Sequence, residues 1–277
     1  MAMSLVQAWV LPHPLLRKHI DRYWISSGPA GMALPSLFPG TGVEVFFHLG
    51  RPFVVSPVNG GAQDAPSAHL GYLRSRPLTV RADSDFSFLS VRVRSGGLRH
   101  LCPVLPACGI DYPLSVEDVW GRNAADIGYR LMAAPTLNEQ AALLDTWLLA
   151  CLERFARHDP VIDHAVERLY YDHAAIRIEE VSAALGLGRR QLERLFKSAI
   201  GCSPKAFQRT ARFQHTLREL TLSGGCRYLD VALAHGFYDQ AHFIREFESF
   251  VGESPSRFFA SQRMASHFYN ASLRRCT

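Results

Sequence analysis

The chain has 277 residues, 48% of them hydrophobic and 20% charged, enough to bury real cores, and its length suggests two domains. No run approaches the length of a membrane-spanning helix, and the apolar N-terminal stretch lacks early positive charge and is broken by Pro12 and Pro14, which argues against export and predicts a cytoplasmic protein. The formal charge of +5 is mild, and the cysteines (Cys102, Cys108, Cys151, Cys202, Cys226, Cys276) lack CxxC pairs or zinc spacing, which predicts independent thiols with no metal and no cofactor; Asn270-Ala-Ser272 then has no meaning as a glycosylation acceptor.

The first 157 residues read as a β-rich domain. The runs V-E-V-F-F-H-L within 42–49 and S-F-L-S-V-R-V within 86–93 alternate or cluster β-branched and aromatic residues as strands do, and 78–81 is a further strand. Between them, 56–67 is rich in Pro, Gly and small polar residues and reads as a loop. Many short strands with frequent Pro and Gly predict a small barrel or sandwich. Strand alternation puts Glu44, Phe46 and His48 on one face and Val43, Val45 and Phe47 on the other, and the face bearing Glu44 is open to solvent in the simplest reading. If the domain holds a small effector, the polar groups on otherwise apolar strands are the candidates: Glu44, His48, Tyr72 and Arg92.

After Pro113 the pattern turns helical. Ser115 can cap a turn through Trp120, Asn123 can start a helix toward Met132, and Thr136 with Glu139 forms a capping box before a long helix over 136–156. Leu137, Leu144, Leu148, Cys151, Leu152 and Phe155 make a stripe along it, with Trp147 beside. Such a stripe serves either to cover the helix's own β-domain or to join two copies as a homodimer, and both stay open.

From 158 onward the chain reads as all-α. Ile178, Val181, Ala184 and Leu185 share one face of a short helix that Gly186 and Gly188 end, and Leu192, Leu195, Phe196 and Ala199 share a face of the next. That is a sharp helical corner, a helix-turn-helix over about 178–200. Ser203-Pro204 caps and starts a helix over about 204–222, with a basic side of Lys205, Arg209, Arg212, His215 and Arg218. A second corner over about 228–251 is broken at Gly236 and capped by Asp239, with Phe243, Phe247 and Phe250 buried. Between Arg189 and Arg218 eight basic residues stand against Glu193 alone, a local excess of seven. Two groove-sized helices beside such charge fit duplex DNA over successive turns.

This region resembles the DNA-binding domain of the AraC/XylS family of bacterial transcription regulators. The strings G-L-G-R-R-Q-L-E-R-L-F-K, G-C-S-P-K-A-F, A-R-F and H-G-F-Y-D-Q-A-H-F-I-R-E-F, with the closing G-E-S-P-S-R-F, carry the resemblance. Gly188 stands where Ser is usual, and Ser182 and Thr216 replace habitual alanines. The N-terminal half resembles the β-rich domain found in a branch of these regulators, on Trp24, L-F-P-G-T-G-V-E-V-F-F-H-L-G, S-F-L-S-V-R-V with Gly96, and I-D-Y-P-L-S-V-E-D-V-W-G. The resemblance implies an α+β, two-domain protein with a cupin-like sensor over 1–157 and the DNA-binding domain over 158–277. It implies a regulator rather than an enzyme, nucleoid-associated, more often an activator, with duplex DNA and RNA polymerase as partners. His48, His69 and His100 are not spaced as the metal-binding histidines of cupin enzymes are.

Residues just inside a recognition helix point at bases, so Arg190, Glu193 and Arg194 are expected to read them, with Gln191 flanking; Arg189 and Lys197 on the same face reach base edges and phosphates together, and Arg209 is expected to hold DNA of any sequence. Pairing of Glu193 with Arg190 or Arg194 on a solvated helix is the competing expectation. In the second unit Gln240, His242 and Arg245 can enter the adjacent groove, while Asp239, Glu246 and Glu248 weaken its field. Two rivals are an enzyme of the DNA-repair alkyltransferase type fused to such a domain, against which the spread cysteines stand, and a protein-interaction adaptor, against which the basic excess stands.

Overall fold

Alternating apolar residues give the N-terminal half its strands, and these assemble into two antiparallel sheets. The computed structural model describes residues 6–260 apart from 33, 35, 58, 59, 72, 73, 75, 106–111, 158 and 223–227, and no side chain is described at 123 and 125. Tyr72, Cys108, Cys226, Cys276 and the sequon at 270–272 therefore lie outside the described residues.

The strands are β1 (Val6–Val10), β2 (Ile20–Gly28), β3 (Val43–His48), β4 (Val54–Pro57), β5 (Gln63–Asp64), β6 (Ala68–Gly71), β7 (Leu78–Arg81), β8 (Phe86–Val93) and β9 (Leu114–Ser115). The larger sheet runs β1-β2-β8-β3-β6-β9 and the smaller β5-β4-β7. Neither closes on itself, so of the two architectures expected the sandwich is the one formed. The stretch 56–67, read as a loop, contains the end of β4 and all of β5, which is too short and polar to show an alternation.

The larger sheet is covered on both faces. Trp24, Phe46, Phe86 and Phe88 meet Phe53, Val55, Leu78 and Val80 of the smaller sheet side in one core. On the opposite face Val43, Val45, Phe47, Leu89 and Val91 pack against helices. The solvent-facing reading of Glu44, Phe46 and His48 is thus corrected. Phe46 is 1% exposed and His48 4%, because a second sheet lies over them.

The helices are α1 (Val116–Trp120), α2 (Ala125–Ala133), α3 (Leu137–Phe155), α4 (Pro160–Tyr171), α5 (Ile178–Ala184), α6 (Arg189–Ile200), α7 (Pro204–Leu222), α8 (Tyr228–Ala234), α9 (Gln240–Val251) and α10 (Pro255–Ala260). Ser115 caps α1 by accepting from the Asp118 N–H, and Thr136 with Glu139 closes a reciprocal capping box on α3. Asn123 does not start α2. A 3-10 turn occupies Arg122–Ala124, and Ala124 stands at the helix start with no side-chain cap. Part of the α3 stripe covers its own domain: Leu144 and Leu148 are buried in the core shared with the sheet, and Trp147 packs edge-on against Phe47 at 6.0 Å, while Leu137, Leu152 and Phe155 are only partly buried.

Around α7 the remaining helices gather, with α4, α6, α8 and α9 all packed against it. Two apolar groups hold them. Leu192, Phe196 and Phe207 belong to a core continuous with the β-domain, whereas Phe213, Leu217, Phe243 and Phe247 form a separate one joined by Phe38 from the N-terminal half.

Candidate nucleic-acid interface

Both corners are shaped by glycines in left-handed backbone, and at one of them there is no room for a side chain. Gly186 (φ 65°) and Gly236 (φ 82°) turn the chain through the left-handed region between the helices of each unit. At Gly236 a Cβ would meet the Ala174 carbonyl oxygen at 2.5 Å. Asp239 then caps α9, accepting from the His242 N–H at 2.7 Å. Gly188 starts α6 in an extended conformation with no side-chain cap, and Ser203 caps α7 through the Ala206 N–H at 3.2 Å.

On α6, Leu192 and Phe196 are buried, and the outward face carries the residues expected to read DNA. Arg189 is committed within the protein: it donates to Glu193 at 3.1 Å and to Glu179 of α5 at 2.7 Å. Glu193 does pair along the helix, but with Arg189 rather than with Arg190 or Arg194. Arg190, Gln191, Arg194 and Lys197 are exposed, with no partner among the described residues. The first unit therefore presents an array of free donors beside one neutralised pair.

The expected basic side of α7 is divided. Lys205 is exposed, but Arg209 reaches across to α9, donating to Glu246 at 2.6 Å and Ser249 at 2.6 Å with its guanidinium 4.6 Å from the Phe250 ring centre. Arg212 lies over Phe237 at 5.5 Å, and burial pushes its pKa below the usual arginine range. His215 is buried, edge-on to Tyr170 at 4.8 Å and tilted over His173 at 4.1 Å. Helices surround α7 on several sides, so part of what reads as a charged face is a clasp between the two units.

On α9, Arg245 is exposed and unpaired among the described residues. Gln240 is 3.4 Å from the Tyr228 hydroxyl, and the His242 ring accepts from the Tyr238 N–H at 3.2 Å and approaches Glu246 at 3.7 Å. Tyr238, 87% exposed just before the cap of α9, escaped the sequence reading. Its signal is an aromatic ring immediately before a capping aspartate, where no buried face calls for one.

The four effector candidates do not converge. Glu44 accepts from Trp24 (2.5 Å), Ser90 (2.6 Å) and Arg92 (3.1 Å), so two of the four satisfy each other. His48 is buried between the sheets, stacked on His69 at 5.2 Å, and burial lowers its pKa to about 3. His100 bonds Asp163 of α4 at 3.2 Å. Among the described residues no three His, Cys, Asp or Glu side chains are grouped to hold a metal ion, and no helix is long and apolar enough to cross a membrane. Burial raises the Cys102 thiol to about 12 and that of Cys151 to about 11.

Residues 181–261 match a family described as a helix-turn-helix domain. The HTH-type transcriptional regulator MtrA of Neisseria gonorrhoeae is 36% identical over 81 residues, which are 29% of this chain and 27% of that protein. The probable transcription factor PqrA of Proteus vulgaris is 30% identical over 83 residues, 30% of this chain and 67% of that protein. The chain thus spans about a quarter of the first relative and two thirds of the second. Among solved structures, ToxT from Vibrio cholerae O395 superposes with a TM-score of 0.50 at 12% identity over 88% of this chain and 98% of that one, which shows a shared two-part fold. From the matched corners and the coverage of PqrA, the chain belongs to the AraC family of helix-turn-helix transcription regulators, a family of regulators and not of enzymes.

Proposed function

We propose that this protein is a sequence-specific regulator that inserts α6 and α9 into two successive major grooves of duplex DNA, under control of a small effector held by its N-terminal half. The carrying observation is the exposed, unpaired array Arg190, Gln191, Arg194 and Lys197 on α6, set beside an Arg189–Glu193 pair that keeps the one acid of this helix occupied. Free guanidinium groups near the start of a recognition helix match the paired acceptors of guanine, and Lys197 and Lys205 suit phosphates. Arg245 on α9 and Tyr238 just ahead of its cap are the contacts the second unit offers.

Arg209 has a second duty here: its clasp to Glu246 fixes α9 relative to α7, so its contribution to binding combines phosphate contact with alignment of the two readers. Activation through RNA polymerase is the mode we assign. A related fold is recorded with a naphthalenyl-butenoic acid bound, in ToxT, which supports effector control. Selection of bound sites from random duplex DNA tests the reading. The expected product is a motif spanning nearly two turns, with binding that weakens as salt rises; a library that yields no motif, or association indifferent to salt, overturns it.

A further inference from the structure

A cleft of about 410 Å3 opens where the larger sheet meets α4 and α7, away from His48 and the interior of the sandwich. Arg92 and Arg94 enter it from the same side of the chain at the end of β8, two residues apart, and Lys18 stands at its edge. Tyr170 and Tyr171 of α4 face them, and Gln214 of α7 closes the third side.

The charges in this cleft are unevenly spent. Asp21 already takes Arg22 at 2.8 Å and Arg94 at 3.0 Å. Asp163 takes Arg99 at 2.8 Å and His100 at 3.2 Å, with Lys18 at 3.9 Å; burial works against its ionised form, but the hydrogen bonds from His100 and Arg99 prevail and hold its pKa at about 2. Glu167 stands at the rim. The guanidinium groups are less occupied. Arg92 gives one N–H to Glu44, and Arg94 gives two, to the Arg17 carbonyl and to Asp21, while each has five. Their side chains are 19% and 20% exposed, so the remaining donors are held against the cleft wall rather than free in solution. Guanidinium donors left over beside carboxylates that are already paired can receive an anion.

The walls decide what accompanies that charge. Ser95, His164, Gln214 and the two phenols set polar groups among Val93, Pro160 and Val166, a mixed wall that suits a ligand carrying hydroxyls on a short carbon frame. We propose that the cleft binds a small hydroxylated carboxylate, its carboxyl group between Arg92 and Arg94 and its hydroxyls toward Tyr170, Ser95 and Gln214. Occupancy is placed to be felt by the DNA-binding half. Gln214 accepts from the Thr41 N–H at 2.9 Å and the Thr41 hydroxyl at 2.7 Å, and Tyr170 leads through His215 and His173 to His235, at the corner of the second unit. This consequence rests on the regulator reading above; binding itself does not.

Calorimetric titration of the full chain, without DNA, tests it, using 4-hydroxyphenylacetate and D-gluconate as probes, with oleate and inorganic phosphate for contrast. At least one hydroxylated carboxylate is expected to saturate a single site, and Arg92→Gln and Arg94→Gln each to weaken it about tenfold or more. Because those changes disturb ion pairs, His164→Trp at the exposed rim provides a second variant, which narrows the cleft without breaking a hydrogen bond and is expected to abolish binding while the melting temperature holds. No saturation by either probe up to roughly 10 mM, tighter binding of oleate, binding of phosphate alone, or undiminished affinity in all three variants overturns the proposal. Ligand binding by a chain that fails to select DNA sinks the regulator reading and leaves the cleft standing.

Discussion

Arg190 and Arg194 differ from Arg189 only in which way each points, and that difference sets their expected roles. Replacing Arg194 by Ala is expected to cost about 1–3 kcal/mol on the selected site and to relax specificity at one position, whereas Lys197→Ala weakens all sequences alike and reduces the salt slope; titration on cognate and scrambled duplexes separates the two. Burial acts on another set of residues. It lowers the pKa of His48 and His215 to about 3 and of His19, His69 and His173 to about 4, against 6.5 for the free side chain. The unfolded chain then binds protons first as pH falls, so stability drops from about pH 6.5 downward. Melting curves between pH 7 and 5 should show this fall, and His48→Phe should make it shallower. A flat profile over that range contradicts the buried neutral state. Spacing revealed which face of α6 points outward, but not that Arg189 rather than Arg190 would take Glu193, because both stand a turn away and the Glu179 that also holds Arg189 lies on α5.

Among elements, those with local signals were legible. The capping box at Thr136, the Asp239 cap and the glycine corners are written in neighbouring residues, and the structure contains each. Elements that depend on partners were not. Lys205, Arg212 and His215 alternate along α7 as a solvated face would, yet Arg212 and His215 turn inward because α4, α8 and α9 pack around that helix. Likewise β5 is defined by its pairing with β4, and the Glu44 face by a second sheet. The corner at Gly236 carries the sharpest prediction at this scale. Gly236→Ala forces a side chain into left-handed backbone, at about 1–2 kcal/mol, and against a carbonyl oxygen, so the loss should exceed that range. Thermal melting should fall by several degrees, and affinity for a two-turn site should fall more than for a half-length duplex. Gly188→Ser, by contrast, supplies a cap where α6 has none, for a gain of a few tenths of a kcal/mol.

At the scale of the whole molecule, the junction between the two halves was the least legible part, since it is assembled from residues far apart in sequence. Arg99 is 2% exposed and ties the β-domain to α4 through Asp163. Asp163 keeps its charge in the folded state down to about pH 2, against 3.8 ordinarily, so its contribution is complete above about pH 4 and vanishes as pH falls through 2. Asp163→Asn should therefore cost about 2 kcal/mol at pH 7 in urea unfolding, with a further loss from the buried Arg99 it leaves unpaired; an unchanged midpoint rules out the tie.

Phe38 carries this junction to its conclusion. It belongs by sequence to the sensor half, yet its ring lies edge-on to Phe213 at 6.5 Å and to Phe258 at 5.5 Å, inside the apolar core of the second helix-turn-helix. A fragment cut near residue 158 would carry both readers but leave an open socket where that ring sits. The two halves are therefore not interchangeable cassettes: exchanging sensors between relatives requires transplanting the 37–42 segment with the socket that receives it.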